Sequence, residues 1–329
     1  MLLPCRDASA HVDAALRSLA SQSFDDFEVI AVDDGSTDDS GNRLDDWAVR
    51  DRRVCVLHLP PRGLVPALQT ALGRSRGPLL ARMDADDIAH PQRFAAQLEL
   101  LAQRPDIAAC GTRIRYVPRH QVRDGARRYQ RWINGLTEPD AIARDIFVEC
   151  PIPHPTLMIR RAALEAVGAW TESAGPEDYD LILRLHAAGF RMAKVPRILL
   201  LWREGPGRLS RTDPRYDADS FRRCKASHLA GTLLLGRDGA VVWGAGPVGK
   251  RFARALVAEG VRLRAFVDVD PRKIGQTICD APVIAPADIH AFPDAFTVAA
   301  VSGARARGEI RAALTATGRI EMVDFCAVA

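Results

Sequence analysis

Four times within roughly the first ninety residues an apolar run alternates with a helix-spaced or turn-rich stretch, a rhythm that restricts the chain to a doubly wound α/β layer. Leu2-Leu3-Pro4, residues 27–32, residues 54–58 and residues 79–83 read as buried strands. Val12, Ala15, Leu16 and Leu19 recur at helical spacing, as do Leu64, Ala67, Leu68, Ala71 and Leu72. Strand, helix and strand make a βαβ unit, and open parallel sheets bind ligands beyond the carboxyl ends of their strands.

Two of those ends are acidic. The strand at 27–32 closes in Asp33-Asp34-Gly35-Ser36-Thr37-Asp38, and the strand at 79–83 in Asp84-Ala85-Asp86-Asp87. Oxygen ligands at a sheet edge suit a hard divalent cation and the phosphates it neutralises, so the second cluster reads as a metal and nucleotide-sugar site. Each cluster has a bland alternative: Asp and Gly are default turn formers, and Asp84, Asp86 and Asp87 would also cap a helix beginning near Pro91.

Residues 107–111 read as a further strand. From Arg113 to Asp145 the pattern loosens into basic and aromatic residues, among them Arg115, Tyr116, Arg119, Arg127, Arg128 and Trp132, and an irregular lid or acceptor-binding insertion is expected there. Without repeats or a recognisable module, this segment does not argue for nucleic acid as a partner. His154, between two prolines, leads into a strand at 157–159 and is as suited to a structural hydrogen bond as to a site. Glu177-Asp178 opens a helix, where the dipole holds a carboxylate ionised and fit to accept a proton; helix capping is the local alternative. A last strand at 195–202 is followed by Arg203, Arg208 and Arg211.

Beyond a basic amphipathic connector at 214–236 the grammar restarts. A strand at 240–243 meets the turn Gly244-Ala245-Gly246-Pro247-Val248-Gly249, and the next strand ends at Asp268, nineteen residues after Gly249. That is the dinucleotide fingerprint, glycines for close approach and an acid for a ribose hydroxyl. Residues 1–213 therefore form one expected domain, 214–236 a helical connector and 237–329 a second, Rossmann-like domain too small to be a separate catalytic one.

Composition excludes little. A net charge of +4 on 329 residues does not argue for nucleic acid, and the seven scattered cysteines lack C-x-x-C spacing and read as reduced core residues. No apolar run approaches the ~20 residues of a membrane helix, so a cytoplasmic protein, at most peripheral on the inner face of the membrane, is expected. The chain opens inside its first strand, and the natural start is expected a few residues upstream.

The motifs taken in order, Leu3-Pro4, Asp33-Asp34-Gly35-Ser36, Arg62-Gly63-Leu64, Asp84-Ala85-Asp86-Asp87, His154-Pro155-Thr156, Glu177-Asp178-Tyr179-Asp180 and Arg208-Leu209-Ser210-Arg211, resemble family 2 glycosyltransferases of the GT-A fold over the first 210 or so residues. The resemblance implies a mixed, mostly parallel sheet followed here by the small Rossmann-like domain. It implies that Asp33 and Asp34 contact the nucleoside of a sugar donor, in a pocket shaped by Pro4, Arg6 and Arg62. Asp86 would hold Mn²⁺ or Mg²⁺ on the diphosphate, Asp84 would share the metal or reach the sugar, and Asp178, beside Glu177, would be the general base of an inverting transfer. Relatives with a histidine ligand after the last strand differ from this chain, which reads Trp202-Arg203-Glu204; Arg208 or Arg211 is the expected stand-in, with His154 an accessory candidate.

The expected activity is transfer from a nucleotide-diphosphate sugar, a UDP-sugar first, to a glycan, lipid-linked or protein acceptor. A non-catalytic nucleotide-sugar-binding or scaffolding protein is the alternative, which the intact Asp84, Asp86 and Asp178 oppose. Gly244, Gly246, Gly249 and Asp268 offer a loop for a nucleotide, but packing or homodimerisation competes with that role on at least equal terms. No redox activity is expected, and NAD is not an expected cofactor.

Overall fold

The computed structural model describes residues 1–172, 175–205 and 208–329, which fall into two compact units. The first comprises Met1–Ile142, Glu177–Thr212 and the segment from Pro151 between them; the second gathers Ala143–Cys150 with Asp213–Ala329.

The first unit opens β1 (Leu2–Cys5), α1 (Val12–Ala20), β2 (Val29–Asp34), α2 (Ser40–Arg50), β3 (Val54–Leu59) and α3 (Leu64–Arg74). β2 is buried along its whole length between β1 and β3, all parallel, as an unbroken apolar run between layers of helices requires. Then follow β4 (Leu79–Ala81), β5 (Ile88–Ala89), α4 (Arg93–Gln103) and β6 (Ile107–Val117). Beyond them lie α5 (Asp124–Gly135), α6 (Pro139–Asp145), β7 (Met158–Arg160), α7 (Arg161–Ala166), α8 (Glu177–Ala187), β8 (Arg191–Arg203) and α9 (Leu209–Thr212). The second sheet has the order β4-β7-β6-β8-β5; β6 and β8 run parallel, while β7 is antiparallel to both neighbours and β5 to β8. A parallel bridge from Leu2 to Arg82 links β1 to the chain leaving β4, so the sheets meet where the acidic cluster begins.

The expected irregular insertion at 113–145 is corrected. β6 does not stop at Gly111 but continues through Val117 beside β8, with Ile114 and Tyr116 buried and Arg115 exposed. The amphipathic helix α5 packs next to it: Asn134 accepts from Ile114 N–H at 2.9 Å and donates to Ile114 O at 2.8 Å, and Gln130 accepts from Tyr116 N–H at 2.8 Å. Side-chain amides thus satisfy the edge of a strand that carries too few apolar residues to be recognised by pattern alone.

Two buried cations stiffen this unit. Arg93, fully buried, donates to Arg82 O at 2.7 Å and to Gln97 at 3.1 Å, and burial lowers its pKa to about 9. Lys194 donates to Pro151 O at 2.8 Å and to Ile133 O. Removing the carbonyls' partner would leave buried acceptors unmet, at about 1–3 kcal/mol each.

The second unit holds α10 (Ala218–Gly231), β9 (Ala240–Trp243), α11 (Pro247–Ala258), β10 (Leu263–Val267), β11 (Thr277–Ile278), β12 (Ala281–Ile284), β13 (Phe296–Ala299), α12 (Ala304–Ala316) and β14 (Phe325–Ala327). Its sheet order is β11-β12-β10-β9-β13-β14, parallel from β12 to β14. Asp145 is tied into this unit by Arg311 at 2.6 Å, and Lys225 donates to Val148 O at 2.6 Å and Val328 O at 3.1 Å. Among the described residues no helix is long and apolar enough to cross a membrane.

Candidate active site

The chain leaving β4 turns through Asp84, Asp86 and Asp87, whose carboxylates offer oxygen atoms within 4.8 Å of one another. Asp87 is fully buried; its Oδ1 accepts the Arg203 N–H at 2.8 Å, while Oδ2 has no hydrogen-bond partner among the described residues. Burial first, and then the charges of Asp84 and Asp86, drive the Asp87 pKa well above the carboxylate range. Burial and the Asp84 charge likewise push Asp86 up to about 6. Three crowded carboxylates with a buried oxygen unmet fit a divalent cation, because a hard cation satisfies oxygen ligands and removes the repulsion that raises these pKa values.

Two arginines contact the cluster, and a third adds its charge. Arg82, 3% exposed, reaches Asp84 at 2.5 Å. Arg203 Nε donates to Asp86 O at 2.9 Å. Arg208 lies with its guanidinium carbon 4.4 Å from the centre of the Trp202 ring and 5.8 Å from that of Tyr116, which itself stacks on Trp202 at 5.2 Å. A guanidinium on aromatic faces is fixed in direction, worth about 1 kcal/mol, and keeps its donors for another group. Arg208 also pairs with Glu204 at 3.2 Å, and Arg211 pairs with the same carboxylate. After β8, Arg203 reaches the acidic cluster directly, Arg208 lies on the aromatic pair, and Arg211 is held on Glu204.

Along β2 the acids are engaged by the protein itself. Asp33 accepts from Ser36 N–H at 3.1 Å and faces His58 Nδ1 at 3.1 Å; burial opposes its ionisation, but those hydrogen bonds outweigh it and hold the pKa below the usual range. Asp34 accepts the backbone N–H groups of Arg62 and Gly63 at 2.7 and 2.8 Å, and Arg6 stands 3.6 Å away. Gly63 at φ +100° and Gly35 at φ +66° are positions an L side chain seldom adopts, and a Cβ on Gly35 would lie 2.6 Å from Pro61. Pro4 is buried in β1 opposite Val32, whereas the side chains of Arg6 and Arg62 are exposed at the rim.

At the first turn of α8, Asp178 is half-buried and accepts from the N–H of Tyr179 at 2.7 Å. Its neighbour Glu177 is 2% exposed, with Oε1 3.6 Å from His154 Nδ1. Trp170 donates its indole N–H to His154 Nε2 at 3.0 Å, which assigns the imidazole proton to Nδ1, facing Glu177. Burial, then the Arg82 charge, depress the His154 pKa, so the ring is neutral. His154 thus serves as a hydrogen-bonded strut beneath α8, and Asp84, Arg82, His154 and Glu177 form one electrostatic chain from the acidic turn to that helix.

Sequence reasoning left Arg82, Arg203 and the Tyr116–Trp202 pair without roles. Arg82 had a signal, since it sits two residues before Asp84 on the same strand end; Arg203 reaches the cluster across 116 residues of sequence, which no local pattern carries.

In the second unit Asp268 is bound to its own turn. Its Oδ2 accepts from Ala245 N–H and from Lys273 Nζ, each at 2.9 Å, and its Oδ1 from Asp270 N–H at 2.9 Å. A Cβ on Gly249 would lie 1.7 Å from Gly244 O, while one on Gly246 would meet nothing within 4 Å. The first and third glycines therefore serve backbone packing, and the second faces open space.

Residues 1–168, just over half of the chain, match the family model described as glycosyl transferase family 2. The amylovoran biosynthesis glycosyltransferase AmsE of Erwinia amylovora is 27% identical over 204 residues, 61% of this chain and 73% of that protein. The putative glycosyltransferase EpsE of Bacillus subtilis is 28% identical over 224 residues, 65% of this chain and 77% of that one. Among solved structures, S. aureus TarS 1–349 in complex with UDP-GlcNAc superposes with a TM-score of 0.57 at 18% identity, covering 70% of this chain and 66% of that one, just under two thirds of its length. The mannosyltransferase PcManGT of Pyrobaculum calidifontis, in complex with GDP-Man and Mn²⁺, gives 0.50 at 18% identity over 96% of this chain and 77% of its own. With the acidic turn after β4 and a mixed, parallel-rich sheet of GT-A type, the chain belongs to glycosyltransferase family 2.

Proposed function

We propose that this glycosyltransferase is metal-dependent and inverting, and that it moves a sugar from a UDP-sugar to a hydroxyl of a glycan, lipid-linked or protein acceptor. The observation that carries this reading is the clustered set of half-buried Asp84 and Asp86 with buried Asp87, held by Arg82 and Arg203 and with one buried oxygen of Asp87 left unmet. Asp86 and Asp84 would hold Mn²⁺ or Mg²⁺, which when bound supplies positive charge to the departing diphosphate. Arg203 and Arg208 are the chain's own cations there, and they oppose the same negative charge. Pro4, Arg6, Asp33, Asp34 and Arg62 line the side on which the nucleoside would lie, and Gly35 and Gly63 let the backbone approach it closely.

Asp178 is assigned as general base. It takes the proton of the acceptor hydroxyl as that oxygen forms a bond to the anomeric carbon and the bond from that carbon to the diphosphate breaks, with the electron pair leaving on the diphosphate. One displacement inverts the centre without a covalent enzyme intermediate. Glu177 acts through His154 to hold α8 in place rather than touching the reacting atoms. AmsE is an amylovoran biosynthesis glycosyltransferase and TarS was solved in complex with UDP-GlcNAc, which supports a role in polysaccharide assembly and a uridine donor. A cytoplasmic location, peripheral on the inner face of the membrane, goes with that role. Residues 1–213 would then carry the chemistry, 214–236 connect, and 237–329 serve homodimer assembly, because Asp268 is already engaged.

The test is Asp178→Asn. It is expected to lower the transfer rate by about 10²–10⁴-fold while donor affinity, read by a UDP-sugar thermal shift with Mn²⁺, stays within a factor of about two. Transfer at the wild-type rate would remove Asp178 from the mechanism.

A further inference from the structure

Against the outer side of β6 lies a cleft of about 500 Å³ lined by Arg115, Tyr116, Arg119, Arg127, Arg128 and Arg131. Asp124 is its one carboxylate, and among the described residues none of the five arginines forms an ion pair. Elsewhere in this unit arginines are matched with acids: Arg43 with Asp13, Arg53 with Asp51, Arg104 with Asp106, Arg184 with Asp180. Like charges gathered without counter-charge cost stability, and an anion removes that cost. The walls are built rather than accidental, since Gln130 and Asn134 stitch α5 to the backbone of β6, and Arg127 Nε is held by Val122 O at 3.0 Å.

The cleft shares a wall with the acidic site. Tyr116 lines it and also stacks on Trp202 beneath Arg208, and Arg208 is among the charges felt by Asp86. A group held among the five arginines would stand one aromatic ring away from the donor's diphosphate site.

We propose that this cleft binds a phosphate-bearing group of the acceptor, placing the acceptor's hydroxyl toward the acidic turn. The proposal rests on the transfer function above. Phosphate is favoured over a single carboxylate because five guanidinium forks offer far more donors than one carboxylate can accept, whereas a diphosphate presents many oxygens and more charge. The donor's own diphosphate is assigned to the metal and acids on the other side of Tyr116, so the cleft is free for the second substrate.

The test uses the full chain in EDTA, where uncompensated acids at Asp84 to Asp87 repel anions, and titrates it with inorganic pyrophosphate by calorimetry. Wild-type protein is expected to bind, the double variant Arg127→Glu/Arg128→Glu to bind at least about tenfold more weakly, and Asp86→Asn to bind as well as wild type. No binding by wild type, or undiminished binding by the double variant, overturns the proposal. Because Arg127 and Arg128 are exposed and their replacement relieves like-charge repulsion, an unchanged or raised melting temperature should accompany the loss.

A second arm separates the sources of phosphate. Sedimentation with phosphatidylcholine vesicles carrying a prenyl diphosphate, but not with phosphatidylglycerol vesicles of equal charge, supports a lipid-linked acceptor. Pyrophosphate binding without vesicle binding supports a soluble phosphorylated acceptor. Equal sedimentation with both vesicles means a general membrane-facing surface and overturns the proposal. Donor-dependent UDP release by wild type is measured alongside. Its absence would sink the transfer reading and with it the acceptor role, leaving the titration to report phosphate binding by the cleft alone, and its persistence in a double variant that loses pyrophosphate binding would support both.

Discussion

Asp86 follows β4 in a mixed sheet and Asp268 follows β10 in a parallel-rich one, each beyond the carboxyl end of its strand, yet the two acids are held in opposite ways. Asp268 accepts two backbone N–H groups and the Lys273 ammonium; burial opposes its ionisation, but these donors outweigh it and lower its pKa. Asp86 is half-buried beside two further carboxylates, and its pKa is raised to about 6. One carboxylate is satisfied by its own turn, while the other keeps a raised pKa that Arg208 and Arg203 offset only in part and that a bound cation would lower. Of these two strand ends, the one with a carboxylate oxygen left unmet is the one that fits an external cation.

The largest expected effect breaks the comparison at the unsatisfied end. Asp86→Asn keeps the backbone carbonyl that Arg203 holds and removes one of three mutually repelling charges. Transfer should fall by about a thousandfold, the loss of a metal ligand at a departing diphosphate. The melting temperature should hold or rise, because a buried charge has gone. Chelation of wild type with EDTA should produce the same loss, reversed by Mn²⁺. A folded variant with wild-type turnover, or transfer indifferent to EDTA, would make the acidic turn as structural as Asp268.

Gly249→Ala breaks the comparison at the other end. Its Cβ would stand 1.7 Å from Gly244 O, a backbone atom that cannot swing aside, so α11 must shift from β9. A loss of about 3 kcal/mol is expected, at the upper end for overpacking. Below the melting temperature, UDP release per molecule should be unchanged if residues 237–329 take no part in the chemistry. A melt followed by fluorescence and a rate at 20–25 °C measure both quantities.

Much of this was legible from sequence. The strands of the first unit and the dinucleotide-like turn declared themselves through unbroken apolar runs, because a strand buried on both faces has no polar positions to hide it. β6 was read only to Gly111, since Arg113 and Arg115 interrupt it; the structure pairs those residues with β8 and covers Ile114 with α5. That helix was missed for the same reason, as Ile133 alone of its residues is fully buried, and Ala126, Tyr129 and Trp132, which pack beside it while amides hold the backbone, are scattered among arginines. In the site, Asp84 and Asp86 were named from spacing. What surrounds them was not, because Arg203 and Asp87 meet only after the chain has passed through β5 to β8. The fingerprint position of Asp268 is the same whether the acid faces a ribose or the Ala245 N–H, and the contact with Ala245 becomes visible only in the folded turn.

The smallest effect sharpens the comparison by charge state. Asp268→Asn retains the side-chain shape but offers a neutral oxygen to three donors, and leaves Lys273 without its partner. The second unit should lose about 2 kcal/mol at neutral pH, the usual cost of hydrogen bonds to an ionised group. The sign of the pH dependence follows from the lowered pKa. A carboxyl that ionises more readily folded than unfolded stabilises above its unfolded value, near pH 4, and loses that contribution as the pH falls through the lower folded value. Wild type and variant should therefore differ most at pH 7, and their melting curves should converge in acid. Asp86→Asn should behave in the reverse sense without metal. Its wild-type carboxyl ionises less readily folded than unfolded, so replacing it should gain stability as the pH rises from about 4 to about 6. Two strand-end acids whose amide variants diverge with opposite slopes over neighbouring pH windows would separate the clasp from the site by equilibrium measurement alone, before any substrate is added.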